Sequence, residues 1–180
     1  MHRSHTTRTT LTLLLLTLFT VIPAGAEPGN DQRAPDLGDC EDLEVPAGHK
    51  VAYRTYAAGV QIYRWNGTSW DFVRPEALLF ADADGNGVVG THYAGPRWEG
   101  NDGSIVHAAV LERCTPDPDA IQWLLLKAVS STGPGIFHRI TYIHRVNTVG
   151  GLAPEDPGDF VGEEVGVPYT AEYFFYRAHR

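Results

Sequence analysis

Turn-forming residues interrupt this chain about every ten residues from Val45 onward, a spacing typical of all-β folds. Between the breaks lie short segments rich in Val, Ile, Tyr, Phe and Trp, the residue types that favour strands. No window has the apolar period of a long helix, and only residues 75–80 could form one helical turn, because Pro75 suits a helix start. We therefore predict one all-β domain over residues 45–177, an antiparallel β-sandwich or barrel with long loops and little helix. The candidate strands are residues 51–56, 60–65, 69–74, 88–93, 104–113, 121–130, 138–147 and 169–177.

The first 26 residues have the order of a cleavable secretory signal. Arg3 and Arg8 supply positive charge, and residues 11–22 form an apolar run too short to cross a bilayer. Small residues at 24–26 then suit a signal peptidase. We expect export, with residues 27–44 as a flexible N-terminal arm rich in Pro, Gly and Asp. The expected location is extracellular, or periplasmic if the host has an outer membrane.

The charge balance disfavours two classes of partner. The chain has 14 Lys and Arg against 22 Asp and Glu, a formal net charge of −8 at pH 7. Cleavage of the leader would remove Arg3 and Arg8 and no acidic residue. An acidic surface repels phosphate backbones and anionic lipid, so we expect neither nucleic acid as a partner nor membrane insertion after cleavage.

Cys40 and Cys114 are the only cysteines of the chain. An even number of cysteines in an oxidising compartment predicts a disulfide. It would close a loop of about 75 residues, worth about 4 kcal/mol in the chain-entropy model, and pin the arm to the domain. The alternative, a reactive thiol pair, lacks the short C-x-x-C spacing of that chemistry.

Asn66-Gly67 joins two aromatic-rich segments and predicts a type I′ hairpin turn that puts Tyr63 opposite Trp70. The aromatic residues of this hairpin are Tyr63, Trp65, Trp70 and Phe72. They could form an exposed platform for sugar rings, or they could belong to the core. Asn66-Gly67-Thr68 also matches a glycosylation sequon.

The densest group of chemically able side chains lies between residues 92 and 102. It comprises His92, Arg97, Trp98, Glu99 and Asp102. If His92 ends a strand and Glu99 lies past the turn at Gly95-Pro96, the two could act as an acid–base pair that Asp102 orients. Arg97, Trp98 and Asn147 are further candidates for binding a ligand or steadying an anion. Alternatively, Glu99 is solvated or paired with Arg97, and Asp102 only forms a turn.

Two motifs in residues 82–90 resemble ligand-binding loops without the surroundings that such loops need. Residues 85–90 fit G-x-G-x-x-G, but Gly95 and Pro96 would break the helix that must follow, so we expect no cofactor. The oxygen-bearing residues of the other motif are Asp82, Asp84 and Asn86, which copy the first half of an EF-hand loop. Tyr93 stands where the bidentate glutamate belongs, which leaves only a weak cation site in another geometry or a plain turn.

Several blocks of the chain are distinctive. They are YAAGVQIY at 56–63, GTHYAGPRWE at 90–99, RVNTVGGLAP at 145–154 and VPYTAEY at 167–173. These blocks resemble the domain-of-unknown-function 3455 family of secreted bacterial and fungal proteins. The resemblance implies an exported single domain and no established activity.

These observations favour an exported, acidic, all-β protein that binds a ligand without catalysis. The aromatic hairpin favours a carbohydrate or a cell-wall polymer as that ligand. One alternative is a secreted hydrolase or lyase that uses His92 and Glu99. Another is a structural or interaction protein with no small ligand.

Overall fold

A computed structural model describes residues 33–179, which form a closed barrel of eight antiparallel strands. The strands are β1 (His49–Trp65), β2 (Trp70–Phe80), β3 (Val88–Tyr93), β4 (Arg97–Gly100), β5 (Ile105–Cys114), β6 (Trp123–Thr132), β7 (Tyr142–Gly150) and β8 (Glu164–Ala178). Each strand pairs with its neighbours in sequence, and β1 pairs with β8. The predicted all-β fold is confirmed, as a barrel. The expected leader, residues 1–26, and residues 27–32 of the expected arm lie outside the described residues.

The barrel interior holds the main core. Successive side chains of a strand alternate between the two faces, so every second residue points inward. The large buried residues of this core are Leu79, Trp98, Leu126, Phe137, Ile143, Tyr173 and Phe175. No helix in residues 33–179 is long and apolar enough to span a membrane.

One end of the barrel is closed by the loops β4–β5 and β6–β7. The Asp102 carboxylate accepts hydrogen bonds from the Ser104 hydroxyl at 2.6 Å and from the Ile136 N–H at 2.8 Å. The Ser104 hydroxyl in turn accepts from the Phe137 N–H at 3.1 Å. The Phe137 ring is fully buried beneath these loops. Asp102 therefore ties two loops together over a filled end of the barrel.

The segment before β1 covers part of the outer wall of the barrel. The predicted disulfide joins Cys40 to Cys114 at the end of β5, and Leu43 is fully buried. The Leu43 carbonyl accepts a 2.7 Å hydrogen bond from Nε2 of His144, whose Nδ1 accepts one from the Tyr176 hydroxyl. Burial lowers the pKa of His144, which suits this neutral arrangement. This part of the expected arm is thus packed against the wall and not loose.

The β1–β2 hairpin differs from its prediction. Its loop has four residues, so Trp65 lies opposite Trp70 and Tyr63 opposite Phe72. The cause is the Asn66 side chain, because its Oδ1 accepts hydrogen bonds from the backbone N–H groups of residues 68 and 69, each at 2.9 Å. Such an Asx-type arrangement competes with the two-residue turn.

Three further expectations about strands need correction. Residues 75–80 continue β2 and form no helical turn. Pro75 is tolerated in this strand because it lies beyond the stretch that pairs with β3, which ends at Ala77. The segments 51–56 and 60–65 are one strand, β1. The short strand β4, residues 97–100, was not predicted because four residues give no clear alternation.

Removing the disulfide should destabilise the barrel. The bridge spans 74 residues of sequence, so its loss adds chain entropy to the unfolded state, worth about 4 kcal/mol. We expect the C40S/C114S variant to show a lower free energy of unfolding in urea, by up to about this amount. Reductant should produce the same loss in the natural protein and no change in the double variant. Equal stability of both proteins under oxidising conditions would contradict this prediction.

Candidate functional site

The other end of the barrel is open and leads into two adjoining cavities of about 310 and 330 Å³. The loops β1–β2, β3–β4, β5–β6 and β7–β8 surround this mouth. The cavities share five lining residues, namely Gln61, Phe72, Val110, Leu124 and Arg145. The inner cavity also reaches His92, Trp98 and Tyr173. Cavities of this size and depth are typical of small-molecule sites.

The floor of the inner cavity is a cluster of three rings. His92 stacks on Trp98 with ring centroids 4.3 Å apart, and Tyr173 meets both rings edge-on at 5.2 and 5.3 Å. Nδ1 of His92 donates a 2.8 Å hydrogen bond to the Arg97 carbonyl. Burial lowers the pKa of His92 to about 3, and this hydrogen bond offsets part of the effect. The imidazole is therefore neutral, and its ring is fixed in place.

Three buried polar atoms of residues that line the inner cavity form no hydrogen bond of regular geometry with the described residues. They are Nε2 of Gln61, Nε1 of Trp98 and the hydroxyl oxygen of Tyr173. Their residues are 2%, 1% and 0% exposed. A buried polar group without a partner costs about 1–3 kcal/mol. The Tyr169 hydroxyl interacts with both Gln61 and Tyr173, and Arg145 interacts with Tyr173, so the cavity wall holds a polar network of loose geometry.

Arg145 is the cation of the inner cavity. Its Nε and Nη2 donate hydrogen bonds of 3.1 and 2.8 Å to the Gln122 carbonyl, which hold the guanidinium at the mouth. In residues 33–179 it forms no ion pair with a carboxylate. Burial raises the pKa of Tyr173, and the charge of Arg145 partly offsets that rise. The guanidinium thus bonds to the backbone at the rim and also lies close enough to Tyr173 to affect its pKa.

The loop after β7 forms one wall of the mouth. Gly151 has φ +80°, and a Cβ at this position would lie 2.8 Å from Tyr169 Cβ and 3.3 Å from Gln61 Cγ. A glycine here is therefore required by both conformation and space. The Gly151 carbonyl accepts a 2.7 Å hydrogen bond from the Tyr63 hydroxyl, which fixes this loop to β1.

The structure does not bring His92 and Glu99 together. His92 pairs with Trp98 across the β3–β4 ladder, and Glu99 pairs with Thr91. Side chains alternate along a strand, so His92 points into the barrel and Glu99 points out. The Glu99 carboxylate accepts a 2.8 Å hydrogen bond from the Tyr93 hydroxyl. Asp102 lies at the closed end in the loop network described above, so it does not orient His92.

The predicted aromatic platform is not formed either. Tyr63 is buried, Trp65 and Trp70 are partly buried, and only Phe72 is exposed, at 54%. The two tryptophan rings are tilted by 55°, and Nε1 of Trp70 donates to the Asp156 carbonyl. A sugar ring needs a flat exposed surface, which these tilted rings do not provide. Phe72 instead lines the mouth of the barrel.

The remaining candidates lie away from the mouth or serve the backbone. The Arg97 side chain is exposed, whereas Trp98 is at the cavity floor. Asn147 lines an outer groove near Asp82. Asp82 accepts hydrogen bonds from the backbone of Asp84 and Asn86 and from the Asn86 amide, and these bonds lower its pKa. Within residues 33–179, no three His, Cys, Asp or Glu side chains are placed to hold a metal ion.

Sequence reasoning missed Gln61, Arg145 and Tyr173. A polar residue at an inward position of an apolar strand was the signal for Gln61. Arg145 lies two residues after the buried Ile143 on β7, so both side chains are on the inner face of the strand. Tyr173 lies two residues before the buried Phe175 on β8, so both share one face, but nothing local in the sequence identifies that face as the interior.

Comparison with known proteins gives one family and no relatives of known function. Residues 46–177 match the model of a family described as a protein of unknown function (DUF3455). No curated protein and no solved structure matches the chain.

Acid should destabilise the protein through His92. Its pKa in the folded state, about 3, lies below the ordinary value of 6.5. Between these values the unfolded state binds the extra proton, so stability present at neutral pH is lost as the pH falls through this range. We expect H92Q to lose less free energy of unfolding than the natural protein between pH 6.5 and 4.5, by about 1.4 kcal/mol per pH unit. Urea unfolding at several pH values measures this difference.

The exposed His138 provides a control for the acid prediction. The H138Q variant should follow the pH dependence of the natural protein. If H92Q shows the same pH dependence of stability as the natural protein, the inference that His92 stays neutral in the folded state is wrong.

Proposed function

This chain belongs to the DUF3455 family of proteins of unknown function, and from its barrel we propose that it is a non-catalytic binding protein that takes a small organic molecule into the open end. One observation carries the proposal. A cavity of about 310 Å³ opens into the barrel, and its lining combines Arg145 with a largely apolar wall and the buried residues Gln61 and Tyr173. Closed eight-stranded barrels have interiors wide enough to hold one small ligand.

The contrast between the two ends supports binding over a purely structural role. At the closed end, the Asp102 carboxylate and the Ser104 hydroxyl are satisfied by named hydrogen bonds. The open end instead leads into a cavity whose lining includes the buried residues Gln61, Trp98 and Tyr173, each of which carries a polar group. A barrel that only had to be stable would gain from apolar residues at these three positions. Their retention beside a cavity is what a ligand site requires.

Catalysis by the expected acid–base pair receives no support. His92 and Glu99 lie on opposite faces of the barrel wall, so no proton can pass directly between their side chains. The neutral His92 ring packs on Trp98 and donates to a backbone carbonyl. In this proposal, His92 shapes the floor of the site.

Export remains part of the proposal. The signal-like order of residues 1–26 carries it, and the Cys40–Cys114 disulfide is compatible with an oxidising compartment. The expected carbohydrate or wall polymer is retained only in a form that enters the barrel, since the hairpin surface offers no platform. A sugar would have to reach the inner cavity past Phe72.

A larger side chain in the cavity should abolish ligand binding. Val110 lines both cavities, so V110F should fill part of the space that a ligand needs. The protein, expressed with its own leader and oxidised, is screened against small organic acids, amides and sugars by thermal unfolding. We expect a binding compound to stabilise the natural protein by about 2.7 kcal/mol at a hundredfold excess over Kd, and to have little effect on V110F.

Val129 offers a matched control, since it lies on the neighbouring strand and is 64% exposed. The V129F variant should respond to the same compounds as the natural protein. Compounds that stabilise V110F as strongly as the natural protein would place binding outside the barrel. No response to any compound would contradict a small-molecule function.

A further inference from the structure

We infer that the ligand is a small organic anion whose carboxylate lies against Arg145 and whose apolar body fills the inner cavity. This inference rests on the proposed function and specifies the chemistry of the same site. It follows from the charge, the hydrogen-bond donors and the apolar wall of the cavities.

The charge of the residues that line the cavities is opposite to that of the whole chain. The sequence has 22 acidic residues against 14 basic ones. Among the described residues that line the two cavities, Arg113 and Arg145 are charged, and no aspartate or glutamate is present. The arginines of the lining favour an anion inside the cavities, whereas the carboxylates of the surrounding loops lie in the segments 115–122 and 151–163.

Arg145 is the donor with which the inner cavity can hold an anion. Its Nε and one N–H of Nη2 bond the Gln122 carbonyl, so N–H groups remain that can donate to Tyr173 or to a ligand. Tyr173 and Gln61 in turn interact with the Tyr169 hydroxyl. A carboxylate matches the guanidinium better than an amide or alcohol does, because its hydrogen bonds to a charged donor are charge-assisted.

The rest of the cavity wall requires an apolar body. The apolar lining residues of the inner cavity are Phe72, Val73, Pro75, Pro96, Val110, Leu124 and Leu126. Burying an aromatic or aliphatic chain against them is favourable by about 25 cal/mol per Å². A sugar acid would instead bury hydroxyl groups against these side chains without partners. The body is therefore aromatic or aliphatic.

The test compares matched acids and amides on the oxidised protein. Benzoate, phenylpropionate and octanoate are titrated near neutral pH by calorimetry, together with their primary amides and with glucuronate. We expect at least one acid to bind at least about tenfold more tightly than its amide, since hydrogen bonds to a charged group are the stronger ones. Glucuronate should bind more weakly than that acid.

Variants then assign the anion to Arg145. R145Q should lose at least about tenfold in affinity for the acid and approach the affinity of the natural protein for the amide. R145K keeps the charge and should retain part of the affinity. Lys127 is an exposed cation on the outer face of β6, so K127Q removes one charge elsewhere and should bind normally. The comparison of acid with amide uses the natural protein, so it stands even if an Arg145 variant does not fold.

The outcomes separate the two proposals. Equal binding of acid and amide, with blockage by V110F, overturns the anion and leaves the barrel as the binding site. Stronger binding of glucuronate than of every apolar acid overturns the apolar body. If no acid, amide or sugar binds, both the anion and the proposed function fail.

Discussion

The pairing of β1 with β8 is the interaction on which the rest of the molecule depends. The two longest strands pair from His49 opposite Ala178 to Arg64 opposite Glu164, with a single irregularity between Val51 and Tyr53. This seam closes the sheet, so the barrel has no free edge and one face of every strand becomes interior. The ion pair between Arg54 and Glu172 lies across the seam. Partly exposed ion pairs contribute little, so the backbone ladder and the buried rings hold the closure.

The two ends of the closed barrel differ in how they are filled. Phe137 and the Asp102 network fill one end, so the large inward rings are supported from below. The same rings, Trp98 and Tyr173, then form a rigid floor for the cavity that opens at the other end. A rigid, preformed floor lowers the entropic cost of binding because few side chains must be ordered when a ligand arrives.

The sequence predicted the elements better than the faces of the strands. Alternation and turn residues gave an all-β domain and most of the strands, because both signals are local. Which side chains meet at the site depends instead on the register in which the strands pair. The three-residue turn 94–96 puts Tyr93 opposite Arg97, so residues whose numbers sum to 190 face each other. His92 and Glu99 miss this condition by one residue, and a shift of one residue reverses the face of a side chain. Arg145 shares a face with Ile143 by regular alternation, but that this face is the interior likewise depends on closure.

The polar interior has a cost that stability alone does not explain. Gln61, Trp98 and Tyr173 each bury a polar atom that forms no hydrogen bond of regular geometry in residues 33–179, although apolar residues of similar size would pack there without that cost. The neutral His92 shows how the barrel limits the cost, because a second positive charge beside Arg145 would be unfavourable at this depth. The lining of the two cavities thus holds guanidinium groups and no carboxylate. Proteins keep locally destabilising groups where function requires them, and a bound anion would neutralise the charge of Arg145.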